Sequence, residues 1–256
     1  MTIRTGIVVP TLGTRPDYLI ECLQSIREAG DCFVLLVAPN DTTITEELPA
    51  NLFDAILIDP GQGLAAAINA GVAALPLECI FATWLGDDDR LISNSLAISE
   101  KALSSDGNIS AIFGVCEYID ENGAVFWENK LGRLAIPLLG VGPNRIPQPG
   151  SVFRRHHFDS IGGLDTTLGW AFDQDMFTRL NRIGRLKFIN RTLAQFRWHA
   201  SSLSAGSSEA SVREASKVRF KHSRGLIRVF LLLAEPVHVQ FALRLGSSLN
   251  KRKEIS

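Results

Sequence analysis

Short apolar runs alternate with stretches of helical spacing through the first part of the chain. Thr5–Val9, Cys32–Ala38, Phe53–Ile58 and Ile80–Leu85 are apolar and bounded by polar or Gly/Pro segments, so each predicts a buried strand. Between them, Asp17–Ala29 places Leu19, Ile20, Leu23 and Ile26 on one helical face, with Gly30 as its stop. Leu64–Leu75 is an Ala-rich helix, and Ser93–Ala102 a third helix. Strand–helix alternation of this kind predicts a parallel sheet covered on both faces. After Leu103 the pattern changes. Ala111–Cys116 and Val125–Trp127 flank an Asn122-Gly123 turn signal and predict a hairpin. Ile136–Pro149, rich in Gly and Pro, predicts a long irregular loop. Ser151–Phe153 returns as a strand, the residues from Arg154 start a helix, and Ala171–Asn181 is helical with Gly184 as its stop. Leu186–Ile189 and Ala194–Trp198 read as two short strands.

Small polar residues dominate Ser201–Ser211, a loop that separates a domain over 1–205 from a tail over 206–256. The tail is basic, with apolar residues interleaved, and reads as two amphipathic helices broken at Pro236. Arg228, Glu235, Pro236 and Arg244 interrupt any apolar span of the roughly 20 residues that a membrane crossing needs. The tail therefore packs on its own domain or on a partner subunit in a homo-oligomer, or lies on a membrane surface.

The chain has 256 residues, 46% of them hydrophobic and 21% charged, enough for one large α/β domain with an appendage. A net charge of −1 gives no argument for nucleic acid. Cys22, Cys32, Cys79 and Cys116 stand singly, with no paired metal-site spacing. They read as reduced core residues, which together with the absence of a leader pattern predicts a cytoplasmic protein.

The candidate chemistry centres on Trp84-Leu85-Gly86-Asp87-Asp88-Asp89-Arg90. A strand ends at a glycine and three carboxylates follow. Adjacent carboxylates repel one another, and a hard cation such as Mg²⁺ or Mn²⁺ relieves that cost. In open α/β sheets ligands bind beyond the carboxyl ends of the strands, where this triplet falls. The same residues also suit a solvated acidic turn before a helix.

Several segments, in order, resemble the family 2 glycosyltransferases, inverting enzymes of the GT-A fold that use nucleotide-activated sugars. They are Val9-Pro10-Thr11 with Arg15; Gly63 to Gly71; Trp84 to Asp89; Gln148 to Arg155; Gly162-Gly163-Leu164-Asp165; Asp173-Gln174-Asp175 with Arg179; and Arg197-Trp198-His199. The resemblance implies a GT-A-like open, mostly parallel sheet flanked by helices, with a C-terminal helical tail. It implies a donor site at Pro10, Thr11, Arg15, Gly63, Asn69 and Asp87, and a Mg²⁺ or Mn²⁺ site at Asp88 and His199. Asp173 takes the place of the family's general base, and Gln148, Ser151 and Trp170 lie where an acceptor pocket forms. The partners implied are a nucleotide-sugar donor and a glycan or glycolipid acceptor. Three departures stand out: Ala38 replaces an Asp at the end of the second strand, Phe172 replaces a Glu before the base, and Gly86 replaces the first acidic residue of longer metal motifs. A non-catalytic sugar-nucleotide or glycan-binding protein on the same fold, or a metal-dependent nucleotidyltransferase, are the alternatives, since fold does not fix function.

Overall fold

The structure is a computed structural model, and it describes residues 4–40, 48–129, 131–142, 144–199, 209–229 and 231–232. The chain opens with β1 (Thr5–Pro10), α1 (Pro16–Ala29), β2 (Phe33–Ala38), β3 (Ala55–Ile58), α2 (Leu64–Ala74) and β4 (Phe81–Trp84). It continues through β5 (Arg90–Leu91), α3 (Ser95–Ser104), β6 (Ile109–Ile119) and β7 (Val125–Glu128). Next come a 3₁₀ turn (Gly132–Leu134), α4 (Ala135–Leu138), β8 (Val152–Arg154) and α5 (Arg155–Ser160). The last elements are α6 (Phe172–Ile183), β9 (Arg185–Arg197) and α7 (Glu209–His222). Nine strands form one sheet in the order β3-β2-β1-β4-β8-β6-β9-β5, with β7 paired to β6. The pairs among β1, β2, β3 and β4 are parallel, and so is β6 with β9, whereas β8 runs antiparallel to both β4 and β6. The predicted open α/β sheet flanked by helices is the one observed.

Strand alternation divides the core into two layers. Ile7 and Val9 of β1 face α1, packing on Leu19, Leu23 and Ile26, while Val8 faces α2 with Ile68 and Val72. Successive side chains of a strand point to opposite faces, so one apolar run serves both. Helix α2 sits close on the sheet because Gly71 has no side chain: a Cβ there would lie 2.4 Å from Val8 Cγ1. All four cysteines are buried and unpaired.

The second half departs from the sequence pattern. The two short strands expected at 186–189 and 194–198 are one strand, β9, whose register against β6 shifts three times. Such irregularities interrupt a strand's alternation without ending it. Strand β5, only two residues long, carries no periodic signal; it exists because β9 offers it an edge. The loop expected over 136–149 contains α4 at its start. Helix α7 begins at Glu209, inside the segment read as loop, and residues 225–229 and 231–232 are also helical. The expected break at Pro236 and second tail helix, the residues 201–208 and Asp41 lie outside the described residues. No helix among the described residues is long and apolar enough to cross a membrane.

Candidate active site

Strands β1 and β4 pair in parallel, Val8 opposite Trp84, so the chain segments leaving them emerge side by side. Thr11 and Arg15 follow β1; Asp87 and Asp88 follow β4; His199 arrives from the end of β9. The five side chains meet. Thr11 Oγ1 donates to Asp87 Oδ2 at 2.7 Å. The Arg15 guanidinium bridges the carboxylates, with Nη2 3.0 Å from Asp87 Oδ1 and Nη1 3.0 Å from Asp88 Oδ2. His199 Nε2 lies 2.7 Å from the same Asp88 oxygen and 2.6 Å from Arg15 Nη1. With Nε2 protonated the imidazole donates to Asp88; with Nε2 bare it accepts from Arg15. Burial pushes the Asp87 carboxyl above its usual range, against the Thr11 hydrogen bond and the Arg15 charge, which pull it down. Gly86 lets the loop fold onto its own acids, since a Cβ there would stand 2.9 Å from Asp88 Oδ1.

The third carboxylate is structural. Asp89 is buried and accepts the Arg197 backbone N–H at 3.0 Å. Arg197, 1% exposed, holds the base of the site together: Nε donates to the Asp88 carbonyl, Nη1 to the Glu121 carbonyl at 2.9 Å and Nη2 to Glu21 at 2.6 Å. Its plane also lies over the Tyr18 ring, 4.3 Å from the centroid. A buried guanidinium is tolerated because its donors are spent in this way.

Asp173 stands at the start of α6. Its Oδ2 accepts Asn144 Nδ2 at 2.8 Å, and its Oδ1 the Gln174 N–H at 2.6 Å. Burial outweighs these bonds and raises the carboxyl to about 6. Two residues on, fully buried Asp175 meets Arg179 at 2.6 Å, His222 at 2.7 Å and Lys221 at 3.1 Å. Burial pushes Asp175 up, but those three partners together drive it far below the usual carboxylate range. Arg179 thus serves Asp175 rather than Asp173. Two of the three partners come from α7. A third acid, Glu214 of α7, accepts the backbone N–H groups of Gly169, Trp170 and Ala171 at 2.9, 2.6 and 2.7 Å, holding the entry to α6. The tail helix therefore packs on the helix that carries Asp173. Neither Asn144, within a Gly/Pro-rich loop, nor Glu214, in a basic tail, carried a local signal of these contacts.

The remaining candidates are scattered. Pro10 ends β1, and Gly63 is the N-cap of α2 at φ +93°, with open space around it. Asn69 spends its amide on both sides of Leu164, donating to its carbonyl at 2.9 Å and accepting its N–H at 2.8 Å. Gln148 Nε2 donates to the Trp84 carbonyl at 2.7 Å, tying its loop to the strand that leads into the acids. Ser151 is fully buried and donates to the Gln148 carbonyl. Trp170 is 42% exposed.

Asp87, Asp88 and His199 supply two hard carboxylates and an imidazole, a donor set that suits Mn²⁺ or Mg²⁺. Among the described residues no three acidic, His or Cys side chains form a ready-made cage.

No protein-family profile matches the chain, and no curated protein matches its sequence. Solved structures do match its fold. One is Staphylococcus aureus TarS 1-349 in complex with UDP-GlcNAc, with TM-score 0.67 and 12% identity over 94% of this chain and 73% of that one. Another is the mannosyltransferase PcManGT from Pyrobaculum calidifontis in complex with GDP-Man and Mn²⁺, with TM-score 0.65 and 14% identity over 100% of this chain and 80% of that one. The longer S. aureus TarS is covered over only 44% of its length. At these identities the likeness is one of fold, and the fold of this chain is GT-A-like.

Proposed function

We propose that the chain is an inverting glycosyltransferase that moves a sugar from a nucleoside diphosphate donor to a hydroxyl of a glycan or glycolipid acceptor. Residues 1–205 carry the reacting groups, and the tail over 206–256 begins with α7, which braces the helix that carries Asp173. The observation that carries this reading is the meeting of Thr11, Arg15, Asp87, Asp88 and His199 at the ends of β1, β4 and β9. Asp87, Asp88 and His199 would hold the divalent cation, and a bound Mg²⁺ or Mn²⁺ offsets the charge that gathers on the departing diphosphate. Arg15 and Thr11 bind the donor side. Arg15 exchanges its carboxylate contacts for phosphate oxygens, which suit its forked donors equally well. Pro10, Gly63 and Asn69 border the nucleoside.

Asp173 accepts the proton of the acceptor hydroxyl as that oxygen bonds to the anomeric carbon. The bond from that carbon to the diphosphate oxygen breaks, and its electron pair leaves with the nucleoside diphosphate. A carboxyl raised to about 6 is a better base than an ordinary one and is still ionised at neutral pH. Asn144 fixes its orientation. Trp170 and Gln148 border the acceptor, and Ser151 holds Gln148 in place. A cytoplasmic setting in surface polysaccharide or glycolipid assembly follows from the resemblance, with the basic tail as a peripheral membrane contact.

The test is a nucleotide-sugar screen that reads free nucleoside diphosphate in the presence of Mn²⁺ or Mg²⁺. At least one donor is expected to be turned over, with Asp88→Ala abolishing metal-dependent donor binding in calorimetry while the thermal transition persists. Unchanged metal-dependent affinity in that variant removes the metal assignment, and no turnover of any donor removes the transferase reading.

A further inference from the structure

A recess opens along β7 and the residues after it, and none of the residues assigned above lines it. Its volume is about 670 Å³, and its walls, among the described residues, are Val125, Phe126, Trp127, Glu128, Asn129, Leu131 and Arg145. Val125, Phe126 and Trp127 are 53%, 57% and 48% exposed. Three consecutive exposed apolar residues on one strand are an oddity that packing does not explain. The rings are nevertheless held firmly. Tyr118 meets Trp127 edge-on, with centroids 4.6 Å apart, and also packs on Phe196 and Trp198. Asn129 fixes the far wall, donating to the Arg145 carbonyl at 2.9 Å and accepting the Leu131 N–H.

The recess adjoins the candidate active site on two sides. Arg145 follows Asn144, whose amide holds Asp173. Trp198, at the other end of the aromatic cluster, stands between Arg197 and His199, both engaged with the Asp88 segment. Burial pushes the Tyr118 hydroxyl well up.

We propose that this recess is a further acceptor subsite, separate from the one bordered by Gln148 and Trp170, and that it takes a saccharide unit laid against the Phe126 and Trp127 rings. The inference rests on the transferase reading above and deepens it. Volume fits, since pockets for small ligands run to roughly 300–1,000 Å³. So does chemistry. A sugar ring offers an apolar face of C–H groups for an aromatic ring, and hydroxyls at its rim for groups such as Arg145 and Glu128. An acyl chain requires a dry groove, whereas this recess is open and carries one acid and one base on its walls.

The experiment uses the full chain with Phe126→Ala and Trp127→Ala, both at exposed positions. Saturation-transfer NMR with maltotriose, cellotriose and chitotriose, without donor, reads saccharide binding directly. A signal from at least one trisaccharide is expected in the wild type and its disappearance in both variants. In the transfer assay the acceptor KM is expected to rise about tenfold, the scale of truncating an aromatic anchor. Donor Kd and acceptor-free release of nucleoside diphosphate stay unchanged. A signal from none of the three sugars, or equal signals in wild type and variants, overturns the proposal. So does binding to phosphatidylglycerol vesicles, rather than to sugars, that both variants lose. A wild type that releases no nucleoside diphosphate from any donor overturns the transferase reading. Saccharide binding that is present in that wild type and absent from both variants still upholds the recess as a saccharide site.

Discussion

Asp173 and Asp175 sit two positions apart on one helix and are held in opposite states. Asp173 is desolvated with only neutral hydrogen-bond donors, so its carboxyl rises to about 6; Asp175, though buried, takes the His222 hydrogen bond, the Arg179 charge and the Lys221 hydrogen bond, so its carboxyl falls. Asp173→Asn keeps shape but cannot accept a proton, and is expected to cost about 10²–10⁴-fold in transfer rate with donor Kd little changed. In the wild type the rate is expected to fall as pH drops through about 6, the carboxyl's raised value. Stability carries a matching signature. The folded carboxyl takes up its proton at a higher pH than the unfolded one, near 3.9, so ionisation weakens the fold as pH rises between the two values. The difference in Tm between Asp173→Asn and wild type, followed by calorimetry, is expected to shift in the variant's favour from pH 4 to 7. Asp175 has the reverse sign, because its contribution is present above the unfolded value and lost as pH falls through the lower folded one. Asp175→Asn strands buried cationic partners and is expected to cost about 3–5 kcal/mol in denaturant unfolding. Transfer per folded molecule should change little; a dead but stable Asp175→Asn would exchange the roles of the two acids.

At the scale of elements, the positions of two helices answer to single residues. The entry to α6 is held by Glu214 of α7, through three backbone N–H groups. Glu214→Ala leaves those donors without the carboxylate and is expected to cost about 1–3 kcal/mol. Because the residues released lead directly into Asp173, kcat should fall with it, and Glu214→Gln, which keeps an acceptor oxygen, should recover part of both. Full activity in Glu214→Ala would show that α6 needs no such brace. Helix α2 offers a simpler case. The Cβ of Gly71→Ala meets Val8 at 2.4 Å, deep between α2 and β1, so the helix or the strand must shift. A loss of about 1–3 kcal/mol in thermal unfolding is expected, from overpacking alone. Neither contact is visible in local pattern: Glu214 and Gly169 are 45 residues apart, and Gly71 differs from any other helical glycine only by what faces it.

For the molecule as a whole, the start of the tail belongs to the fold. Through Glu214, Lys221 and His222, α7 is bound to the turn and helix that carry Asp173. Beyond it the surface changes: Leu226 is 88% exposed, Ile227 48%, Val229 53% and Leu232 61%, beside Arg224 and Arg228. A chain ending at Ser223 keeps every clamp and is expected to fold and to transfer sugar to a soluble acceptor. It should lose binding to anionic vesicles, read by co-sedimentation beside the full chain. Equal sedimentation of the two would assign the exposed apolar residues to a protein contact instead.

The amino-acid sequence by itself determined the first half of the molecule, because there β1, β2 and β4 are buried on both faces and the helices on one. Apolar runs and amphipathic spacing are local signals of those states, as in Ile7, Val8 and Val9 of β1 or Leu19, Leu23 and Ile26 of α1. The same locality made Asp87 and Asp88 legible, as acids placed directly after a buried strand. Tertiary structure decided the rest. Strand β5 is too short to have a period, β9 loses its alternation where its register shifts, and both take their form from a neighbour's edge. Asn144 beside Asp173, and Lys221 and His222 beside Asp175, are contacts between segments far apart in the chain. Such contacts depend on which surfaces the sheet order β3-β2-β1-β4-β8-β6-β9-β5 brings together, and on how burial and charge then divide between them.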